Sequence, residues 1–177
     1  MRAGNANEQR WKHVPWLLEA PGPSAAPGLE TWLGGIKKYH FDDGSTEELY
    51  ASIEAPTEYI EGSDVYVVAN WVVKSAGSGV VRWGVEFTFA DVGEVFPAPT
   101  TYYVNAQTPG VANQHSRTTI FTIEPPQGTA LLHAAAGIRF FRDGGNAADT
   151  YVGDAVLLNV GFDFLVDDIG AVSRTVK

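Results

Sequence analysis

The sequence predicts an all-β protein, a jelly-roll type two-sheet antiparallel sandwich with an extended N-terminal arm. Three observations carry that prediction. Residues 80–90 (VVRWGVEFTFA) alternate, with Val81, Trp83, Val85, Phe87 and Phe89 on one face and Val80, Arg82, Gly84, Glu86 and Thr88 on the other, the period-two pattern of a strand with one buried side. The 177 residues include 19 glycines and 10 prolines and show no sustained 3.6-residue periodicity, so turns are many and helix has no foothold. About eight strand-like runs recur at spacings of roughly 10–20 residues, which suits a jelly roll better than a seven-strand immunoglobulin-type domain.

Length and composition narrow the functional classes. A chain of this size forms one core that buries about 70% of its unfolded surface, and 45% hydrophobic with 19% charged residues is the composition of a globular chain. Cysteine is absent, which excludes disulfides and thiolate metal sites. The formal net charge of −9 argues against nucleic acid and anionic lipid as partners, because both are approached through Lys and Arg. No apolar run reaches the roughly 18 residues of a membrane span, and the N-terminus lacks the apolar stretch of a secretory leader.

The arm comes first. Residues 1–35 set Trp11, Trp16, Leu17, Leu18 and Trp32 among Pro15, Pro21, Pro23 and Pro27, a proline density that prevents helix and favours extended chain. Three tryptophans are costly to leave in water, so the arm should lie in a groove, either on its own domain or on a neighbouring subunit. The sandwich is expected over residues 36–177. Runs 36–41 and 49–55 flank the turn Asp42-Asp43-Gly44-Ser45. After Pro56, loop 57–63 leads into strand 64–74 (DVYVVANWVVK), which carries Trp71. The Gly-rich link 75–79 is short enough to fold that strand back onto 80–90 as a hairpin, the expected nucleus of the fold. Trp83, Phe87 and Phe89 bury about 150–250 Å² each and should dominate the core.

Residues 91–114 hold Pro97, Pro99 and Pro109 and read as a long loop in which Tyr102-Tyr103-Val104 could pair briefly; its Phe96, Tyr102 and Tyr103 should make interface contacts. Residues 116–124 alternate, 125–128 turn, and 130–142 (ALLHAAAGIRFFR) read as a strand, with helix as the alternative. Loop 143–153 follows. In strand 154–166, Val156, Leu158, Val160, Phe162 and Phe164 share a face.

Chemistry-bearing patterns are sparse. Asp143, Asn146, Asp149 and Asp154 offer oxygen ligands of the kind calcium takes, but the spacing matches no calcium loop and these residues also cap turns. His13, His40, His115 and His133 stand in no metal-binding spacing, and Asp42-Asp43 and Asp167-Asp168 read as turn residues, not as facing glycosidase carboxylates. No nucleophile elbow or phosphate-binding glycine loop is present. No catalytic residue, metal or cofactor is therefore expected, and the protein reads as a non-enzyme. Tyr50, Tyr59, Tyr66, Tyr102, Tyr103 and Tyr151 leave two uses open, ring stacking on sugars and protein contact.

At Tyr59-Ile60-Glu61-Gly62-Ser63-Asp64-Val65, Asn70-Trp71, Val81-Arg82-Trp83-Gly84-Val85-Glu86-Phe87, Phe96-Pro97-Ala98-Pro99-Thr100-Thr101, Arg139-Phe140-Phe141-Arg142-Asp143, Asp149-Thr150-Tyr151 and Phe162-Asp163-Phe164 the chain resembles jelly-roll capsid decoration, or cement, proteins of tailed bacteriophages. Related sequences carry histidines ahead of the strand tryptophan; Val68-Ala69-Asn70 stands here instead, which removes a metal inference. The resemblance covers about residues 50–170 and implies a virion structural protein on the phage head surface, assembled in the host cytoplasm. It further implies a homotrimer that binds the major capsid protein and stabilises the shell, with Trp11, Trp16, Leu17, Leu18 and Trp32 as fastening contacts. The alternative is a carbohydrate-binding, head-fibre or tail-associated β-sandwich module that uses its exposed tyrosines.

Overall fold

A computed structural model describes residues 9–19, 25–56, 58–124 and 134–167. The turn at 125–128, the start of strand 130–142, His133 and the tail from Asp168 lie outside the described residues. Ten strands are seen among the described residues, and no helix: β1 (Gln9–Pro15), β2 (Gly28–Leu33), β3 (Ile36–Phe41), β4 (Thr46–Glu54), β5 (Val65–Val73), β6 (Val80–Ala90), β7 (Thr100–Gln107), β8 (Ser116–Ile123), β9 (Ala135–Asp143) and β10 (Ala155–Asp167). They form two antiparallel sheets packed as a sandwich, the fold class that the alternation predicts. One sheet is six-stranded, in the order β2-β3-β10-β5-β8 with β1 also on β10; the other is four-stranded, β4-β9-β6-β7.

The core lies between the layers. Val81, Trp83 and Val85 of β6 are fully buried, and Phe87 nearly so, as the alternation requires; Phe89, at the end of the strand, is only partly buried and stacks on Phe87. Trp83 stacks on Phe140 at 5.1 Å between ring centroids and meets Phe41 and Trp71 edge-on. Phe162 and Phe164 close the core from β10. Burying such rings contributes about 25 cal/mol per Å² and makes this cluster a main source of stability.

Three expectations need correction. First, β5 and β6 do not pair as a hairpin: β5 belongs to the six-stranded sheet and β6 to the four-stranded one, so residues 75–79 cross between layers. Glycine serves a crossing as well as a turn. Gly79 passes so close to the Tyr151 backbone that a Cβ there would meet Cα at 2.7 Å. Trp71 and Trp83 consequently face each other across the core. Second, β10 carries a register shift between Leu157 and Asn159, so the inward set is Ala155, Leu157, Val160, Phe162 and Phe164, and Val156 with Leu158 leave the face expected of them. Third, residues 91–114 are not loop throughout, because β7 pairs with β6 over eight positions.

The described residues of the N-terminal stretch, 9–19 and 25–35, lie along their own domain, and two segments of the expected arm are strands of the six-stranded sheet. β1 pairs with the C-terminal half of β10, β2 with β3, and Trp16 enters the core against Phe162. The chain then crosses to the other layer, where Glu19 and Tyr50 exchange backbone hydrogen bonds of 2.7 and 2.8 Å.

Candidate functional site

The strand register assembles a site on the outer face of the four-stranded sheet. Side chains opposite each other in antiparallel strands share a face, so three rows cross this surface: Ser52–Gly137–Thr88, Tyr50–Arg139–Glu86–Thr101 and Glu48–Phe141–Gly84–Tyr103. In the first row Gly137 leaves a gap, since a Cβ there would touch only Thr88, at 3.8 Å. Around that gap lies an open cleft of about 510 Å³ lined by Glu19, Tyr50, Ser52, Glu86, Thr88, Pro99 and Arg139 among others.

The polar groups of the cleft are held in place. Arg139 pairs with Glu48 and, through Nη1, with Glu86 at 3.1 Å. Burial works against its charge, but the hydrogen bonds and charges of the two glutamates outweigh that, and Arg139 holds its proton more tightly than a free arginine. The Tyr50 hydroxyl donates to Glu48 at 3.0 Å; that bond first, then burial, raises its pKa, so it remains a neutral donor.

The aromatic groups are layered with the arginines. The Phe141 ring fills the place a side chain at Gly84 would take, lies beneath the Arg139 guanidinium at 4.4 Å and meets Tyr103 edge-on. Arg82 covers Tyr103 at 4.2 Å. Tyr50 and Tyr103 remain 40% and 45% exposed. Rings, guanidinium planes and carboxylates at one surface can stack on the apolar side of a ligand and hydrogen-bond its hydroxyls together.

The other singled-out residues scatter. Tyr102 and Tyr103 are neighbours in β7 and therefore part: Tyr102 stacks on Phe121 at 4.2 Å where the two sheets meet, and only Tyr103 reaches the outer face. Phe96 is exposed in the loop before β7. Leu17 is exposed and Leu18 packs partly on the core; Trp32 donates its indole N–H to Asn113 Oδ1 at 2.7 Å. Trp11 lies on the opposite sheet.

Both acidic groupings have partners within the chain. In the loop after β9, Asp149 takes two hydrogen bonds from fully buried Arg142, at 2.8 and 2.9 Å, while Asn146 caps the turn through Ala148 N. Arg142 also donates to the carbonyls of Phe41, Tyr151 and Gly153 at 2.7–2.8 Å, which satisfies its planar fork. Asp154 instead joins Glu30 and His40, whose potential ligand atoms lie within 4.8 Å of one another. Lys74 Nζ sits 3.2 Å from both carboxylates and supplies the positive charge there. Burial first and then the neighbouring Asp154 raise the pKa of nearby Asp42 from its ordinary value.

Sequence reasoning missed the cleft because its residues come from β4, β6 and β9, with Glu19 and Pro99 brought beside them, and no periodicity says which strands lie together. The outward set of β6, Gly84-Glu86-Thr88, was the only visible signal.

No family model matches the chain, and no curated protein does. Similar solved structures include a family 35 carbohydrate-binding module from Clostridium thermocellum, 11% identical with a TM-score of 0.40 over 87% of this chain and 91% of that one. Others are CBM28, described as specific for non-crystalline cellulose, 13% identical with a TM-score of 0.37 over 85% of each chain, and TmCBM61 in complex with β-1,4-galactotriose, 11% identical with a TM-score of 0.30 over 93% and 92%. The expected role as a phage capsid decoration protein is corrected accordingly. These neighbours are carbohydrate-binding modules and not virion proteins, and Trp16, expected to fasten a shell, is buried in the core of its own domain.

Proposed function

We propose that the protein is a non-catalytic carbohydrate-binding β-sandwich module whose ligand is a neutral glycan held in the cleft of the four-stranded sheet. The observation that carries this reading is the open floor over Gly137, walled by half-exposed Tyr50 and by an Arg139 that two glutamates fix in place. A sugar ring has an apolar C–H face and a rim of hydroxyls. The first stacks on an aromatic ring, and the second exchanges hydrogen bonds with charged groups, which are the stronger partners. Because ion pairing already orders Arg139, Glu48 and Glu86, little rotamer freedom is lost when a ligand arrives.

Charge selects among glycans. Among the described residues, Glu19, Glu48 and Glu86 outnumber the one cation lining the cleft, Arg139, so a uronate or sulfated chain would meet like charge. Affinity electrophoresis against xylan, galactomannan, mixed-linkage glucan, galactan and polygalacturonate tests this. Retardation by a neutral polymer, lost in Tyr50→Ala, is the expected result. Preference for polygalacturonate, or binding of none of these polymers, contradicts the reading.

A further inference from the structure

The outer face of the six-stranded sheet carries a second aromatic and polar depression, remote from the cleft. Trp11 of β1, 55% exposed, meets Tyr66 of β5 edge-on at 5.2 Å between centroids. Beside the pair, Asp163 of β10 accepts from Arg117 of β8 and lies 2.8 Å from His13 Nδ1. These residues come from four adjacent strands of one sheet, β1, β10, β5 and β8, and Trp11, Tyr66, Arg117, Thr119 and Asp163 line an open depression of about 450 Å³.

We infer that this depression is a second saccharide-binding site, which makes the module bivalent. The inference rests on the glycan reading of the first cleft. Among the described residues the lining is an indole platform, a phenol, a threonine hydroxyl and a guanidinium paired with a carboxylate, with no aliphatic side chain. A protein interface of useful size needs about 800 Å² per partner around an apolar core, and this surface has no such core. A pyranose matches it better, with its C–H face on the half-exposed indole and its hydroxyls shared between Arg117 and Asp163. The Arg117–Asp163 pair also cancels its own charge, so a neutral sugar is again favoured.

Position gives the pair of sites a consequence. Packed sheets lie about 10 Å apart, and the two sites face away from each other on opposite outer surfaces, so one short oligosaccharide cannot occupy both. Two glycan chains can therefore be held by one protein molecule, a cross-link that gains from multivalency where chains are dense.

Isothermal titration of the full chain with xylohexaose, mannohexaose, cellohexaose and β-1,4-galactotriose tests the inference. For the sugar that binds, the expected stoichiometry is two per chain, falling to one in Gly137→Val, to one in Trp11→Leu, and to none in the double variant. Because Trp11→Leu could loosen β1, Arg117→Ser is run in parallel; it leaves Trp11 and β1 intact and should weaken the second site about tenfold. One sugar per chain, lost in Gly137→Val and unchanged in Trp11→Leu and Arg117→Ser, overturns the second site and leaves the first reading standing. No binding of any of these sugars removes both. Sedimentation supplies a further arm: self-association abolished by Trp11→Leu and Arg117→Ser, with sugar stoichiometry unchanged, would make the patch a protein contact and overturn the inference.

Discussion

Arg139 and Arg142 stand three residues apart on one strand, and an odd spacing sends them to opposite faces of β9. Arg142 points inward, is fully buried, and places its N–H groups on Asp149 and three backbone carbonyls. Arg139 points outward and holds two glutamates at the rim of an open cleft. The same side chain is a fastening in one place and a surface tool in the other. The difference teaches that the inner face of this strand specifies the fold while its outer face is free to specify a ligand, so stability and binding should separate by substitution.

The largest expected effect is on the inward side. Arg142→Ala strands a buried Asp149 and three carbonyls, and removing one partner of such a pair costs about 3–5 kcal/mol; urea denaturation should show a midpoint collapse or no folded protein. Asp149→Asn retains the shape and should lose less. A loss in Arg142→Ala no greater than in Arg139→Ala would break the comparison.

Next comes Gly84→Val, which sets a branched side chain where the Phe141 ring lies. Overpacking of that kind costs about 1–3 kcal/mol, and displacing Phe141 should also disturb the base on which Arg139 rests. Both thermal stability and sugar affinity are expected to fall together in this variant.

On the outward side the two readouts should diverge. Arg139→Ala leaves the partly buried Glu48 and Glu86 without their shared cation, a cost expected at about 1–2 kcal/mol and below that of fully buried Arg142, while binding should fall at least about tenfold. Gly137→Val sharpens the contrast: the new Cβ meets Thr88 at an ordinary 3.8 Å and valine favours strand, so stability should hold or rise slightly while the filled cleft no longer binds.

The smallest effect concerns Asp42. Its folded pKa lies above the unfolded value, burial first and Asp154 second, so its ionised form costs stability at neutral pH and that cost disappears on acidification. Asp42→Asn should therefore be more stable at pH 7, by no more than about 0.5 kcal/mol for so exposed a group, with the advantage gone below the ordinary 3.8.

The two sides of β9 also mark how far sequence carried. Alternation showed that Trp83 and Phe87 face inward because burial on one side imposes a period of two, and the structure agrees. It did not show which strand lies beside which. The link 75–79 reads the same whether it turns or crosses, and the register shift at Leu158 is invisible in a run of apolar residues. Strand β1 was legible as extended chain, but its pairing to β10 depends on a partner some 150 residues away. A charged residue at an inward position, Arg142 after Ile138 and Phe140, was the one sequence signal that could have announced the buried network. The cleft had no comparable signal, since Gly137 earns its meaning only once Thr88 and Ser52 are placed beside it.

An ¹⁵N-labelled chain titrated with the neutral oligosaccharide selected by affinity electrophoresis tests the central claim most directly. Amide shifts concentrated at Tyr50, Glu86, Thr88, Gly137 and Arg139, and abolished there by Gly137→Val, are the predicted result. Saturable binding whose shifts leave those five residues untouched would contradict it.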